Sequence, residues 1–205
     1  MISRRAVLLS VGAVATFSGC ADAPKPKLKE PEKPAVPVTG RYAFYQMYGS
    51  ARLWSPDVQG LEMMSLRLTQ VKDEPGKSGA WQVSFVSPAK QKVKAFTYSV
   101  VEGEGNLHKG VFAGLEESYL GPRGQSIPWN IQAFKIDSDA AYETALKKSA
   151  AYVKQFPDKP ITFLLAHSKQ FPDLAWRVVW GDSVTTSDHS VYVDASTGAY
   201  LETTR

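Results

Sequence analysis

The sequence predicts an α+β fold of two tandem units, each a helix packed on an antiparallel sheet. Three observations lead to this prediction. The stretches Ala175–Gly181 and Ser190–Leu201 alternate apolar with polar residues, and this period of two is typical of strands with one buried face. Residues 42–54 and 141–156 instead carry apolar residues at helical spacing. The strand pattern also recurs after 95 residues, which indicates two copies of one unit.

The internal repeat relates three pairs of segments. At the common offset, Ala80–Phe85 aligns with Ala175–Trp180, Phe96–Tyr98 with Val191–Val193, and Leu66–Val71 with Ile161–Ala166. The turns that follow differ, because Ser99 stands where the second copy has Asp194. We therefore expect the copies to share strand pattern more than turn chemistry.

The first 19 residues are predicted to be an export signal. Arg4 and Arg5 supply positive charge before the apolar run Ala6–Phe17, which is shorter than the roughly 20 residues that a membrane-spanning helix needs. The sequence Phe17-Ser-Gly-Cys20 is similar to the bacterial lipobox, in which the cysteine becomes lipidated. Cys20 is the only cysteine of the chain. Lipidation would remove the liability of a lone thiol in an exported protein.

The route and destination of export follow from similar resemblances. Ser3-Arg4-Arg5-Ala-Val-Leu8 is similar to a twin-arginine signal, while an ordinary Sec signal can also carry two arginines. Residue 21 is Ala rather than the Asp that often retains lipoproteins at the inner membrane. We expect an exported protein that is lipid-anchored in the cell envelope and faces the periplasm from the outer membrane.

Residues 20–39 are predicted to be a tether. Ala21–Thr39 holds five prolines and interleaves lysines with acidic residues, so it lacks the apolar content of a core. Proline removes backbone donors and favours an extended chain, which makes such a segment a semi-rigid spacer of up to roughly 60 Å.

The remaining residues divide into a first unit (40–110), a linker (111–136) and a second unit (137–205). In the first unit, we predict a helix over 42–54 that ends before Pro56, because the residue before a proline is driven from helical geometry. Three strands follow, at Met63–Val71, Ala80–Val86 and Lys92–Val101. In the second unit, Asp137–Asp139 caps a helix over 141–156, and Ile161–His167 precedes the closing hairpin.

The closing hairpin resembles the end of a PepSY-type domain. The residues that carry the resemblance are Val191-Tyr-Val-Asp-x-x-Thr-Gly-x-x-Leu201, preceded by Trp176-x-Val178. The resemblance covers about residues 137–201. Members of this family pair one helix with an antiparallel sheet and include the propeptides of secreted metallopeptidases, some of which inhibit their enzyme. The resemblance therefore implies a protein or peptide partner.

Few residues predict chemistry. The three histidines, His108, His167 and His189, lack the spacing of a metal site, and we expect no metal or cofactor. A formal net charge of +4 without a basic stripe argues against nucleic acid. The candidate binding surface comprises Trp129, Trp180, Asp182, Asp188, His189 and Asp194. Aromatic side chains are frequent anchors of interfaces, and the carboxylates flank the histidine.

The expected function is that of a lipid-anchored, non-catalytic module that binds a protein or peptide, with inhibition of a secreted peptidase as a specific form. Two alternatives remain open. One is a structural or assembly lipoprotein of the envelope. The other is an enzyme that uses the acidic cluster around His189. An apolar groove between the units would favour binding.

Overall fold

The structure, a computed structural model, describes residues 34–105, 107–122, 127–167, 170–171 and 173–204. The predicted signal, Cys20 and the first part of the tether lie outside the described residues. Pro34–Arg205 form one compact unit. Within the described residues, no helix combines the length and apolar character needed to cross a membrane.

The compact unit is α+β, as predicted, and each half contributes helix followed by strands. The first half contains β1 (Val38–Thr39), α1 (Gly40–Trp54), β2 (Gln59–Leu66), β3 (Lys77–Ser78), β4 (Ala80–Ser87), β5 (Lys92–Ser99) and β6 (Gly110–Ser118). The second half contains a 3-10 turn (Ile131–Ala133), α2 (Ser138–Lys148), α3 (Ala150–Gln155), β7 (Ile161–Ala166), β8 (Ala175–Trp180), β9 (Ser190–Asp194) and β10 (Tyr200–Thr204).

Eight strands form one antiparallel sheet, in the order β10-β9-β8-β7-β2-β4-β5-β6. The two halves meet where β2 pairs with β7, and Met63 lies opposite Leu165 there. Counted outward from the centre of the sheet, the first half runs β2, β4, β5, β6 and the second half runs β7, β8, β9, β10. The strands at the same place in the two series are therefore counterparts. The helices α1 and α2 pack on the sheet and share one hydrophobic core. The two helix-plus-sheet units are therefore joined through a continuous sheet.

The repeat offset of 95 residues relates β4 to β8 and β5 to β9, but it fails for the strands before them. Leu66 of β2 lies opposite Ala80, whereas Ala166 of β7 lies opposite Ala175. The predicted equivalence of Leu66–Val71 with Ile161–Ala166 is therefore wrong. The connection after β2 is longer than the one after β7, which shifts the register of the repeat.

The predicted linker, 111–136, is in part a regular strand. Within it lies most of β6, which pairs with β5 at the edge of the sheet. Most of β6 is exposed or only half-buried, so its sequence carries no apolar alternation that could have revealed it. The end of the predicted linker, Trp129–Phe134, is not a strand of the sheet. There, Trp129 forms one bridge with Gly60 before the 3-10 turn begins.

The helices begin close to each other. The helix predicted at 42–54 is confirmed, with a start at Gly40. The one predicted at 141–156 is interrupted at Ser149, which separates α2 from α3. The Asp137 carboxylate accepts hydrogen bonds from the amide of Ser138 in α2 (2.7 Å) and from the amide of Arg41 in α1 (2.8 Å). One side chain thus caps both helices, since the first amides of a helix lack partners within it.

Two buried tryptophans anchor the helices to the sheet. The Trp81 indole donates to the carbonyl of Val38, two residues before α1, at 3.0 Å. The Trp176 indole donates likewise to the carbonyl of Ile136, two residues before α2, at 2.9 Å. The two rings lie 6.3 Å apart. A side chain at Gly40 would come within 3.0 Å of Trp176 and 3.2 Å of Trp81, so this approach requires glycine.

The turns that follow β5 and β9 share one side-chain hydrogen bond and differ in the others, as expected from the sequence. Asp194 accepts a hydrogen bond from the amide of Ser196, two residues on, at 2.8 Å. Ser99 does the same for Val101, at 3.3 Å. A hydroxyl and a carboxylate can both cap such a turn. The rest of the two turns differs, since Thr197 also donates to the Asp194 side chain and Gly198 to its carbonyl, whereas Gly103 donates to the carbonyl of Leu107.

We expect Trp81→Phe and Trp176→Phe each to lower the free energy of unfolding by about 2–4 kcal/mol, because each removes buried ring volume and leaves a half-buried carbonyl without its donor. Trp129→Phe is the matched control. The buried Trp129 Nε1 has no hydrogen-bond partner among the described residues, so its loss should cost less. Urea denaturation of Pro34–Arg205 measures all three. An equal or larger loss for Trp129→Phe would contradict the anchoring role.

Candidate functional site

A cleft of about 940 Å³ opens between the two halves of the chain. One wall is the connection from β2 to β4, residues 67–75 with Lys77, and the other is residues 157–161 between α3 and β7. Tyr142 of α2 and the buried Phe163 of β7 complete the lining. This volume lies in the range typical of ligand pockets. The cleft between the halves is lined by both charged and apolar side chains.

The first wall is held by a tight turn. The Lys77 amide donates to the carbonyl of Glu74 at 2.9 Å, with Pro75 and Gly76 between them. Gly76 has φ +71°, which together with the preceding proline is typical of a type II turn. The Ser138 hydroxyl donates to the carbonyl of Gly76 at 2.5 Å. The turn is therefore fixed to the start of α2.

The bottom of the cleft rests on the tryptophan pair. The Phe163 ring lies 5.9 Å from Trp81 and 6.3 Å from Trp176, centroid to centroid. The Phe163 amide donates to Ser65 of β2 at 2.9 Å, which ties the bottom to both central strands. Burial raises the pKa of Tyr142 above that of an ordinary tyrosine. The lining is thus rigid and partly aromatic.

Most of the cations at the rim are already paired. The pairs are Arg67–Asp182 at 2.6 Å, Lys77–Glu74 at 2.8 Å and Lys159–Asp188 at 2.8 Å. Hydrogen bonding to Glu74 raises the pKa of Lys77, and hydrogen bonding to Asp188 raises that of Lys159. Lys72 is a further, exposed cation at this rim. The positive charge of the rim is therefore largely compensated.

Asp73 is the unusual carboxylate of the cleft. It is half-buried, and its Oδ1 receives no hydrogen bond from the described residues. Burial raises the pKa of Asp73, and the nearby charge of Arg67 opposes this effect only in part. A desolvated carboxylate without a donor is costly for the folded chain. Its presence among the lining residues is the strongest electrostatic feature of the cleft.

The structure corrects two members of the predicted binding surface. Trp129 is 2% exposed and Trp180 is 1% exposed, so both belong to the core and neither forms a surface. Trp129 covers Gly60, where an added Cβ would clash with the indole ring, and it also packs on Phe44. The irregular segments beside both residues suggested exposure. Packing against the opposite element, which the sequence does not reveal, buries them.

His189 is also buried, at 4% exposure, and takes part in a local network. Its Nε2 lies 2.8 Å from the Ser149 hydroxyl, at the break between α2 and α3. Its ring stacks on Tyr152 at 4.1 Å. The Tyr152 hydroxyl donates to Asp188 at 2.6 Å, and this bond and the stronger one from Lys159 lower the pKa of Asp188 to about 2. A pocket of about 460 Å³ adjoins the network.

The predicted acidic cluster is only partly brought together. Asp188 and His189 share Tyr152, whereas Asp182 pairs with Arg67 at the cleft rim. Asp194 lies at the opposite end of β9 from His189, where it holds a turn. Within the described ranges, no three His, Cys, Asp or Glu residues are placed to hold a metal ion.

The sequence alone does not mark the residues that define the cleft. Residues 72–79 lie between two predicted strands and Tyr142 lies in a predicted helix, but neither property marks a ligand site. The cleft exists because a long connection in one half folds over the start of the other. The repeat gave no signal of this, because a single offset makes the two connections equal in length, and only the strand bounds of the structure show that the one after β2 is longer.

We expect Gly76→Ala to lower the free energy of unfolding by about 2 kcal/mol or more, because an added Cβ would clash with the Cα of Asp139 and the positive φ disfavours alanine. Gly49→Ala in α1 is the control. No atom lies within 4 Å of a Cβ there, so alanine should stabilise the helix by about 0.5–1 kcal/mol. Thermal denaturation of Pro34–Arg205 compares them. Equal effects would show that the turn is not held against α2.

Comparisons with known proteins show the fold alone. No protein-family model and no curated protein sequence matches the chain. A crystal structure of a Clostridium difficile 630 protein, provisionally named a lipoprotein, is similar to 84% of this chain and to 94% of its own, with 11% sequence identity and a TM-score of 0.50. The α+β architecture is therefore one that a solved protein shares.

Proposed function

We propose that the chain is a lipid-anchored, non-catalytic binding module of the cell envelope, which holds a segment of a protein or peptide in the cleft between its halves. The observation that carries this proposal is the cleft itself, with about 940 Å³ of space, apolar side chains at the bottom and paired charges at the rim. Apolar pockets with a few placed polar groups are typical binding sites.

The proposal of a lipid anchor rests on the N-terminal sequence. Cys20 follows an apolar run and a lipobox-like Phe17-Ser-Gly, and it is the only cysteine. The provisional lipoprotein name of the structurally similar Clostridium difficile protein agrees with this assignment. The anchored domain faces the periplasm from the outer membrane where the envelope has two membranes. Inhibition of a secreted peptidase is the more specific role that the PepSY resemblance favours.

The cleft is a better dock than the sheet edges. The edge strands β6 and β10 would be the natural sites for strand addition. Each pairs with its neighbour through an irregular register, and each carries glutamate, as at Glu116 and Glu202. Bulges and charges are the features by which edge strands resist further pairing. The interaction we propose therefore relies on side chains in the cleft.

Binding is favoured over catalysis by the positions of the predicted acids. Asp188 is engaged by Tyr152 and Lys159, and Asp182 by Arg67. Two of the three carboxylates near His189 in sequence are thus committed to other groups. Catalysis by the cluster would need them to act on one substrate together.

A second candidate function, assembly of the envelope, is favoured by one exposed corner. Leu53 of α1 is 92% exposed and Leu115 of β6 is 89% exposed. Their sequence neighbours Trp54 and Glu116 are joined by a hydrogen bond of 2.6 Å, which brings the two leucines into one region. Exposed apolar side chains from two elements are typical of contact surfaces.

The lipid anchor is tested by metabolic labelling with an alkyne fatty acid. We expect the wild-type chain to incorporate the label and to sediment with membranes, and Cys20→Ala to incorporate none. Ser18→Ala, which keeps a small residue beside the processing site, is the control and should be labelled normally. Label retained by Cys20→Ala would contradict lipidation at that residue.

The binding proposal is tested by photo-crosslinking from single cysteines. Pro34–Arg205 has its own core and no native cysteine. We expect a benzophenone attached to Thr69→Cys, at the exposed cleft wall, to capture one envelope or secreted protein, and unlabelled Pro34–Arg205 to compete. The same group on Leu53→Cys is the control. Adducts at position 53 alone would favour the assembly function, and no competed adduct at position 69 would contradict binding in the cleft.

A further inference from the structure

We infer that the cleft recognises a cationic side chain flanked by apolar residues, so that its occupant is a lysine- or arginine-bearing peptide segment whose positive charge pairs with Asp73. This inference rests on the proposed function, because it names the chemistry of the segment held in the same cleft. Three observations support it: the missing hydrogen bond of the Asp73 carboxylate, the ion pairs of the rim cations, and the apolar side chains in the lining.

Asp73 is the group that a cation would satisfy. Its carboxylate lines the cleft, is half-buried, and lacks a hydrogen bond at Oδ1 from any described residue. Native proteins seldom leave a buried acceptor in this state, and such exceptions call for an explanation. A charged donor in the cleft would compensate the lost hydration with a charge-assisted hydrogen bond. Burial, which raises the pKa of Asp73, agrees with this need.

The rim cations are bound mainly to other carboxylates, and of these cations Arg67 also acts electrostatically on Asp73. Lys77 and Lys159 are held by Glu74 and Asp188, each at 2.8 Å. The Arg67 guanidinium lies 2.6 Å from Asp182. With these three cations compensated by other carboxylates, two acids of the lining remain for a ligand, the half-buried Asp73 and the exposed Asp158, and only Asp73 is desolvated. The exposed Lys72 can turn toward solvent.

The lining fits the remainder of such a segment. The half-buried Tyr142 offers aromatic surface and packs edge-on against the buried Phe163, and Leu68 and Val71 belong to a small core beside the same wall. Pro157 and Pro160 stiffen the opposite wall. The stem of a lysine is apolar along its length, so it can lie on this surface while its charge reaches Asp73. Apolar neighbours of the lysine would occupy the aromatic part of the cleft.

The test uses two fluorescein-labelled peptides, Gly-Ala-Leu-Lys-Leu-Ala-Gly and its twin with acetyl-lysine, which keeps the stem and removes the charge. Fluorescence anisotropy with Pro34–Arg205 measures both affinities. We expect the lysine peptide to bind about tenfold more tightly, as for one partly desolvated ion pair. Asp73→Asn should abolish this preference. Glu143→Gln, an equal change of charge on the exposed surface of α2, should retain it.

Stability distinguishes a role in binding from a role in folding. In the free chain, Asp73→Asn should raise the urea midpoint, because it removes a desolvated charge. The pKa of Asp73 is raised in the folded chain. Below the usual pKa of 3.8 the carboxyl is protonated in both states and does not affect the free energy of unfolding, whereas above the raised pKa its ionisation lowers that free energy by the full amount. The gain should therefore grow as pH rises through this window. A lower midpoint for Asp73→Asn would contradict the inference.

Other outcomes are equally decisive. If both peptides bind alike, or if Asp73→Asn keeps the preference, recognition of a cation by Asp73 is wrong, while the cleft remains a binding site. If neither peptide binds, the inferred chemistry is wrong, and crosslinking at position 69 decides separately whether the cleft binds a protein. Loss of the preference in Glu143→Gln would assign it to net charge instead of Asp73.

Discussion

Hydrogen bonds from two buried indoles to the backbone join the sheet to the starts of α1 and α2, and the junction between the two halves depends on them. Trp81 and Trp176 occupy equivalent positions in the two halves and donate to the carbonyl two residues before each helix. Because a buried indole needs an acceptor, each ring fixes its helix over the sheet. The rings also touch each other, so the two helix starts are forced together. There, Asp137 caps both helices with one carboxylate.

The cleft is a consequence of this junction. The Ser138 hydroxyl accepts a hydrogen bond from the amide of Gly40 at 2.8 Å and donates to the carbonyl of Gly76, so the first turn of α2 also captures the connection that follows β2. That connection would otherwise be an ordinary surface loop. Held at one end, it stands away from residues 157–161 and leaves space between the halves. Desolvation of the Asp73 carboxylate on this wall destabilises the free chain, and a ligand bound in the cleft could offset that loss.

The sequence predicted the repeated core better than the differences between the copies. Alternating residues fixed β4, β8 and β9 closely, because one face of each strand packs under a helix. The sequence did not reveal β6, because an edge strand buries little surface and so its residues need not alternate between apolar and polar. It placed Trp129 and Trp180 at the surface because burial by a distant element leaves no local trace. The cleft was expected only as a possibility between units, because its residues are distant in sequence and meet through tertiary contacts alone.

The most direct test of binding in the cleft is an amide chemical-shift map of ¹⁵N-labelled Pro34–Arg205 during titration with the lysine peptide. Occupation of the cleft predicts that the largest shifts fall on residues 67–77 and 157–161 and on Tyr142, with α1 and β6 unchanged. The opposite pattern, with the largest shifts around Leu53 and Leu115, would contradict the assignment of the site and identify the exposed corner as the interacting surface.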